Sequence, residues 1–205
     1  MTETLARAAA QLEIVLPHGA EAALLAYVAL IAKWNQVYNL TAIRDQQRMV
    51  VEHVLDSLAV VPHVVPGGVL EVGRGAGLRG VPLALARPAW QVTLLDSNHK
   101  RCTFLQQVVI ELGLANVEIA CARAESFQPG APFDTVVSRA FSDTAHFARA
   151  ALPLVAPEGV MLAMKGLYPH EELAQLPQEA RLRAVVPLSV PGLEAQRHLV
   201  VMTKA

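Results

Sequence analysis

The chain has 205 residues, enough for one α/β domain with a sizeable core and a short extension. Apolar residues make up 53% and charged residues 17%, a globular composition and not a disordered one. The formal charge of −1 excludes a global basic field, so a nucleic-acid partner would have to be held by a local patch.

The first residues carry Glu3 and Glu13 and lack the basic start and apolar core of a signal peptide. The longest apolar run, "AALLAYVALIA" (22–32), is far short of the roughly 20 residues that span a bilayer. A protein of the cytoplasm, away from membranes, is therefore expected. Leu24, Tyr27, Val28, Ile31 and Trp34 recur at helical spacing, and the pattern dissolves at Asn39, Thr41 and Asp45, which favour caps and turns. A second helix, "QQRMVVEHVLDSLAVV", ends at Pro62, and its His53 and Asp56 are expected to hydrogen-bond locally. "PGG" (66–68) then breaks the chain. The reading is an N-terminal helical extension (1–65) followed by a larger domain (66–205).

From Gly68 onward, short apolar strands alternate with helical stretches. Strands are expected at 69–73, 91–96, 117–122, 133–138 and 159–166, then near 182–190 and 197–205. Alternating β and α units imply a parallel sheet covered on both faces. The short "PGLEAQ" between the last two strands is too short for a crossover, so they form an antiparallel hairpin. That is the layout of a class I, Rossmann-like methyltransferase with seven strands. Cys102 and Cys121 form no motif and read as two buried thiols. No metal-binding pattern is present in the sequence, and no metal is expected.

"VLEVGRGAGLRG" (69–80) is a glycine-dense turn between a strand and a helix, where the backbone can approach a ligand closely. "GAGLRG" matches the dinucleotide fingerprint, with Asp96 closing the next strand at the spacing of a ribose-binding carboxylate. Against a nicotinamide cofactor, Glu71 precedes Gly73 and Gly75 in an E-V-G-x-G-x-G pattern. An acid there suits the ammonium end of methionine better than a pyrophosphate. S-adenosylmethionine is the favoured ligand.

Seven segments then carry a resemblance: "KWNQVYNLTAIRD" (33–45), "HVLDSLAV" (53–60), "LEVGRGAGLRGVPLA" (70–84), "LLDSNHKRCTFLQQV" (94–108), "VVSRAF" (136–141), "LAMKG" (162–166) and "PGLEAQRHLVV" (191–201). In order and spacing they resemble the RsmG/GidB family of bacterial methyltransferases, which modify a guanine of 16S ribosomal RNA at N7. The resemblance implies S-adenosyl-L-methionine as cofactor and 16S ribosomal RNA or the 30S subunit as partner. It implies cofactor contacts from Gly73 and Leu78 in the loop, from Asp96 to the ribose, and from Ala124 and Glu125 around the adenine. Arg139 would line the pocket and act in catalysis.

For RNA, Lys100, Arg101, Lys165 and Arg197 are the expected phosphate contacts, with Lys33, Arg44 and Arg48 as further candidates. The family's loop reads G-T-G-x-G-x-P-G, whereas this chain has Arg74 and Arg79 at the Thr and Pro positions. Arg74 can pair with the methionine carboxylate, fill the pocket or pair with Glu71, and both arginines can turn to solvent. The expectation is that Arg74 hinders the cofactor. Two alternatives therefore stand beside the enzyme: an RNA-binding protein impaired in cofactor binding, and a small-molecule methyltransferase.

Overall fold

The computed structural model describes residues 2–205 except 74–76, 140 and 142, with side chains from residue 5 onward. Seven strands form one sheet: β1 (Gly68–Val72), β2 (Gln91–Leu95), β3 (Val117–Ala120), β4 (Phe133–Ser138), β5 (Val155–Lys165), β6 (Ala180–Pro187) and β7 (His198–Lys204). Their order is β3-β2-β1-β4-β5-β7-β6. The first five strands pair in parallel, and β7 runs antiparallel to both β5 and β6. The chain thus winds outward in two directions from β1 and β4, and the crevice between their carboxyl ends is where ligands of such sheets bind.

Expected and observed strands agree closely, with the main difference at β5. A strand over 159–166 was expected, but β5 begins at Val155 and ends at Lys165. Its pairing jumps from Phe133↔Val155 to Thr135↔Val160. The intervening residues form a bulge, and a Cβ on Gly159 would sit 2.8 Å from the Asp134 carbonyl oxygen.

Helices α1 (Thr2–Gln11) and α2 (Ala20–Tyr38) precede the sheet. Asn39 ends α2 in the left-handed conformation, a common way to close a helix. Then α3 (Gln46–Met49) runs through a π-helical stretch (Val50–Leu55) into α4 (Asp56–Leu58). Leu5, Leu24, Tyr27, Ile31, Met49 and Leu58 share one buried cluster with Leu83, Leu94, Phe104 and Leu105, so the extension packs directly on one face of the domain. That face also carries α5 (Gly80–Ala86) and α6 (His99–Leu112). Asn98 caps α6 by accepting the Lys100 and Arg101 backbone N–H groups. The opposite face is covered by α7 (Thr144–Ala151), whose Phe147 and Ala148 pack on Leu70, Val136 and Met161. A short α8 (His170–Leu173) follows β5. No described helix is long and apolar enough to cross a membrane.

Candidate functional site

A cavity of about 370 Å³ opens at the carboxyl ends of β1, β2 and β3. Val72 and Gly73 form one wall, Leu95 and Ser97 a second, and 122–125 a third, with Phe141 and His146 at the rim. Ala124 and Glu125, which the resemblance assigns to the adenine, thus line this cavity. So does Gly73, whose N–H is held by the Leu95 carbonyl at 3.1 Å. Asp96 sits between Leu95 and Ser97, only 4% exposed. One of its oxygens accepts the Asn98 N–H at 2.8 Å, and the other lies 3.5 Å from the Arg101 guanidinium. Gly75 and Arg74 lie outside the described residues.

The turn between β1 and α5 is held from beneath. Glu71 is buried, and its two oxygens accept the backbone N–H groups of Arg79 (3.2 Å) and Gly80 (2.7 Å). Burial raises its pKa, and the Gly80 hydrogen bond and the Arg79 charge pull it back. The carboxylate expected to face an ammonium group is thus turned to the start of α5, where a negative charge suits the helix end. Gly77 has φ +69, and a Cβ there would lie 2.6 Å from Leu105. A Cβ on Gly80 would lie 2.2 Å from Leu94 and 2.9 Å from the Glu71 carboxylate, so only glycine brings α5 this close to the sheet. Leu78 is buried, and its carbonyl accepts the Ser57 hydroxyl at 2.8 Å, linking the turn to α4.

Of the alternatives, Arg79 does not take the solvent-facing one: it is 4% exposed, with its guanidinium 3.5 Å from Asp56. Asp56 is fully buried and takes two more arginines, Arg197 at 2.9 Å and Arg139 in a short contact. One carboxylate from the helical extension therefore gathers cations from the glycine turn, the end of β4 and the start of β7. Arg139 is half-buried, and burial together with the Arg79 charge lowers its pKa to about 10 despite the Asp56 contact. His53 and Asp56, expected to hydrogen-bond locally, instead bond to residues distant in sequence. The π-helical stretch turns the His53 ring to the Thr41 hydroxyl, 2.9 Å from Nε2. Burial, reinforced by Arg79, pushes His53 down to about 4.

The expected RNA contacts divide. Lys100 is exposed. Arg101 leans on Asp96, and Arg197 is 8% exposed on Asp56. Lys165 is largely buried, 2.6 Å from Glu172. Burial opposes ionisation of Glu172, but hydrogen bonds from Lys165 and Thr144 outweigh it and hold its pKa below the ordinary value. Arg44 bonds the Asn35 carbonyl, and Arg48 pairs with Glu52. The neutralised members are thus parts of the architecture, not a bare surface patch. Trp34 stacks on Tyr38 and meets Phe104 edge-on, a packing role.

Sequence reasoning missed two features. Asp56 as a hub has no local signal, since its partners lie at positions 79, 139 and 197. Tyr168, 42% exposed, packs its ring against His170 and His198 just beyond β5, and no motif marked it. The cysteines also differ from expectation: Cys102 is buried but Cys121 is exposed.

The fold is similar to that of solved methyltransferases. TrmN from Thermus thermophilus superposes with a TM-score of 0.59 at 21% identity, covering 73% of this chain and 48% of that one. The glycopeptide N-methyltransferase MtfA gives 0.63 at 13%, covering 78% and 100%. In sequence, the chain is 52% identical to the ribosomal RNA small subunit methyltransferase G of Laribacter hongkongensis, covering 98% of this chain and 97% of the relative. It is also 52% identical to the protein of the same name from Chromobacterium violaceum, with the same coverage. The model of the GidB family, described as rRNA small subunit methyltransferase G, matches residues 20–200. With the family pattern spanning nearly the whole chain and half of the residues shared with such relatives, this chain belongs to the rRNA small subunit methyltransferase G family.

Proposed function

We propose that the protein transfers the methyl group of S-adenosylmethionine to N7 of a guanine in 16S ribosomal RNA. The observation that carries this reading is the cavity at the ends of β1–β3, with a glycine turn on one wall and a buried carboxylate behind another. Bound there, S-adenosylmethionine supplies an electrophilic methyl group on a sulfonium. The donor set suits it: Asp96 would take the ribose hydroxyls, the Ala124–Glu125 backbone would frame the adenine, and Gly73 would let the chain pass close to the methionine end. Glu71 serves by holding that turn in place.

Guanine N7 has a free lone pair and no proton to lose, so the reaction needs positioning and not a base. The described site accordingly gathers cations and small residues instead of a nucleophile–base pair. Arg139, anchored by Asp56 at the carboxyl end of β4, orients the substrate beside the cavity. RNA must offer an unstacked guanine, because N7 lies deep in the A-form major groove. Lys100 offers an exposed contact to phosphate, and the ring of Tyr168 offers a face on which a splayed base can stack.

The test is incubation with S-adenosylmethionine labelled in its methyl group and 30S particles or 16S RNA lacking the modification, followed by nucleoside mass analysis. The expected result is one methyl per 16S chain, on guanine N7. Binding to 30S particles without transfer would instead favour an RNA-binding protein, and label only in small molecules would favour a small-molecule methyltransferase.

A further inference from the structure

Cys102 and Cys121 stand 19 positions apart in sequence, yet their Sγ atoms lie 2.6 Å from each other. Cys102 is on α6 (His99–Leu112) and is 3% exposed. Cys121 directly follows β3 (Val117–Ala120) and is exposed. The Cys102 thiol also lies 3.3 Å from the Asp96 carbonyl oxygen, and Cys121 lies 3.4 Å from His99 Nδ1.

The pair joins two walls of the cavity. Asp96 lies between the lining residues Leu95 and Ser97, and Cys121 immediately precedes the lining residues Ala122 and Arg123. Neither sulfur is needed for methyl transfer, and buried cysteines ordinarily serve as small apolar fillers. Here one thiol is open to solvent with a second directly behind it, the arrangement in which an oxidised cysteine is resolved by its neighbour. Burial pushes the Cys102 thiol up, and Cys121, the exposed member of the pair, meets an oxidant first.

We infer that Cys102 and Cys121 form a reversible disulfide on exposure to a peroxide, and that this bond weakens cofactor binding. The Cys121 thiol gives up its proton and its sulfur attacks one peroxide oxygen. The O–O bond breaks, leaving a sulfenic acid on Cys121, and the departing hydroxide takes the proton to become water. Cys102 sulfur then attacks Cys121 sulfur. The S–O bond breaks, and the leaving hydroxide takes the Cys102 proton as a second water. Two thiols lose two electrons and the peroxide gains them; a dithiol reductant reverses the change.

A bond of about 2.05 Å draws Cys121 toward α6, and Ala122 and Arg123 with it. It also removes the S–H that Cys102 presents to the Asp96 carbonyl. Both changes act on the proposed adenosine walls. The affinity effect rests on the proposed cofactor site, whereas the cross-link does not.

The full-length reduced protein is treated with hydrogen peroxide, mapped by non-reducing peptide mass analysis, and titrated calorimetrically with S-adenosylhomocysteine. The expected result is a Cys102–Cys121 cross-linked peptide pair and affinity lowered about fivefold, restored by dithiothreitol. Cys121→Ser, at an exposed position, should keep the affinity of the reduced protein after the same treatment. Oxidation that stops on Cys121 without a cross-link, or a cross-link with unchanged affinity, overturns the inference. If the reduced protein binds no S-adenosylhomocysteine, the cofactor reading and the affinity claim fall together, and the peptide map still decides the disulfide.

Discussion

The cavity at the ends of β1–β3 and the ion cluster around Asp56 meet at the glycine turn, and they are built by different means. Gly73, at one end of the turn, lines the cavity, while Arg79, at the other, joins the cluster. The cavity is walled by strand ends and the residues that follow them, with the buried acid Asp96 behind them at the end of β2. The cluster contains a fully buried carboxylate facing three guanidinium groups contributed by distant parts of the chain. In the first region the walls come from successive strand ends of one sheet. In the second, long side chains tie the helical extension to the sheet, at the desolvation cost that every buried ion pair carries.

The sharpest way to break the comparison is to remove the one acid of the cluster. Asp56→Ala takes the ion-pair partner from the buried Arg79 and Arg197 and detaches Arg139. Removing one partner of a buried ion group costs about 3–5 kcal/mol. Urea unfolding should show a loss of that order, and a loss below about 1 kcal/mol would mean that the arginines find other partners.

The matching change on the cavity side should act on binding more than on stability. Asp96→Ala removes the acceptor proposed for the ribose and should weaken S-adenosylmethionine by about 1–3 kcal/mol in a calorimetric titration. Its unfolding midpoint should move less than that of Asp56→Ala, because its arginine partner, Arg101, is partly exposed and 3.5 Å away, so no buried arginine loses its pair. Unchanged affinity in the folded variant would remove Asp96 from the site.

The contrast also marks what the sequence made legible. The alternation of strands and helices is a local signal, repeated at each βα unit, and it led to all seven strands. Asp96 was legible for the same reason, since it closes an expected strand, whereas Gly73, Ala124 and Glu125 came from the family resemblance. The cluster was not legible, because Asp56, Arg79, Arg139 and Arg197 meet only through the tertiary fold. A lone Asp on an amphipathic helix looks like a solvated charge, and a lone Arg in a turn looks free to leave it. Lys165 and Arg197 were read as surface cations for the same reason, since pairing partners such as Glu172 and Asp56 have no fixed spacing from them. The π-helical turn was hidden too: its effect is to rotate His53 toward Thr41, and nothing in "VVEHVLDS" announces that rotation.

The smallest change in stability is expected where the cluster loses a cation instead of its acid. Arg79→Met keeps much of the volume, leaves Asp56 with Arg139 and Arg197, and removes a buried Nε that has no hydrogen-bond partner. Apolar replacement of one buried ion in a satisfied group is often near neutral, so the unfolding free energy at pH 7.5 should change by less than about 1 kcal/mol. The electrostatic consequence is easier to see. His53 is held at about 4 by burial and then by the Arg79 charge. An unfolded histidine takes a proton near its ordinary 6.5, whereas the folded one waits until about 4, so between those values the unfolded state binds more protons. The stability this site contributes is therefore complete above about pH 6.5 and is lost as pH falls toward 4, up to about 3 kcal/mol in all. With Arg79 gone, burial alone remains as the main depressing cause, and His53 should titrate higher, though still below its ordinary value. The acid loss then spans a narrower window, and the gap between urea midpoints at pH 5 and pH 7.5 should shrink relative to the parent. The His53 ring resonances, followed by NMR from pH 7 downward, give the direct reading. A His53 titration unmoved by Arg79→Met would show that the Arg79 charge does not reach the π-helical turn.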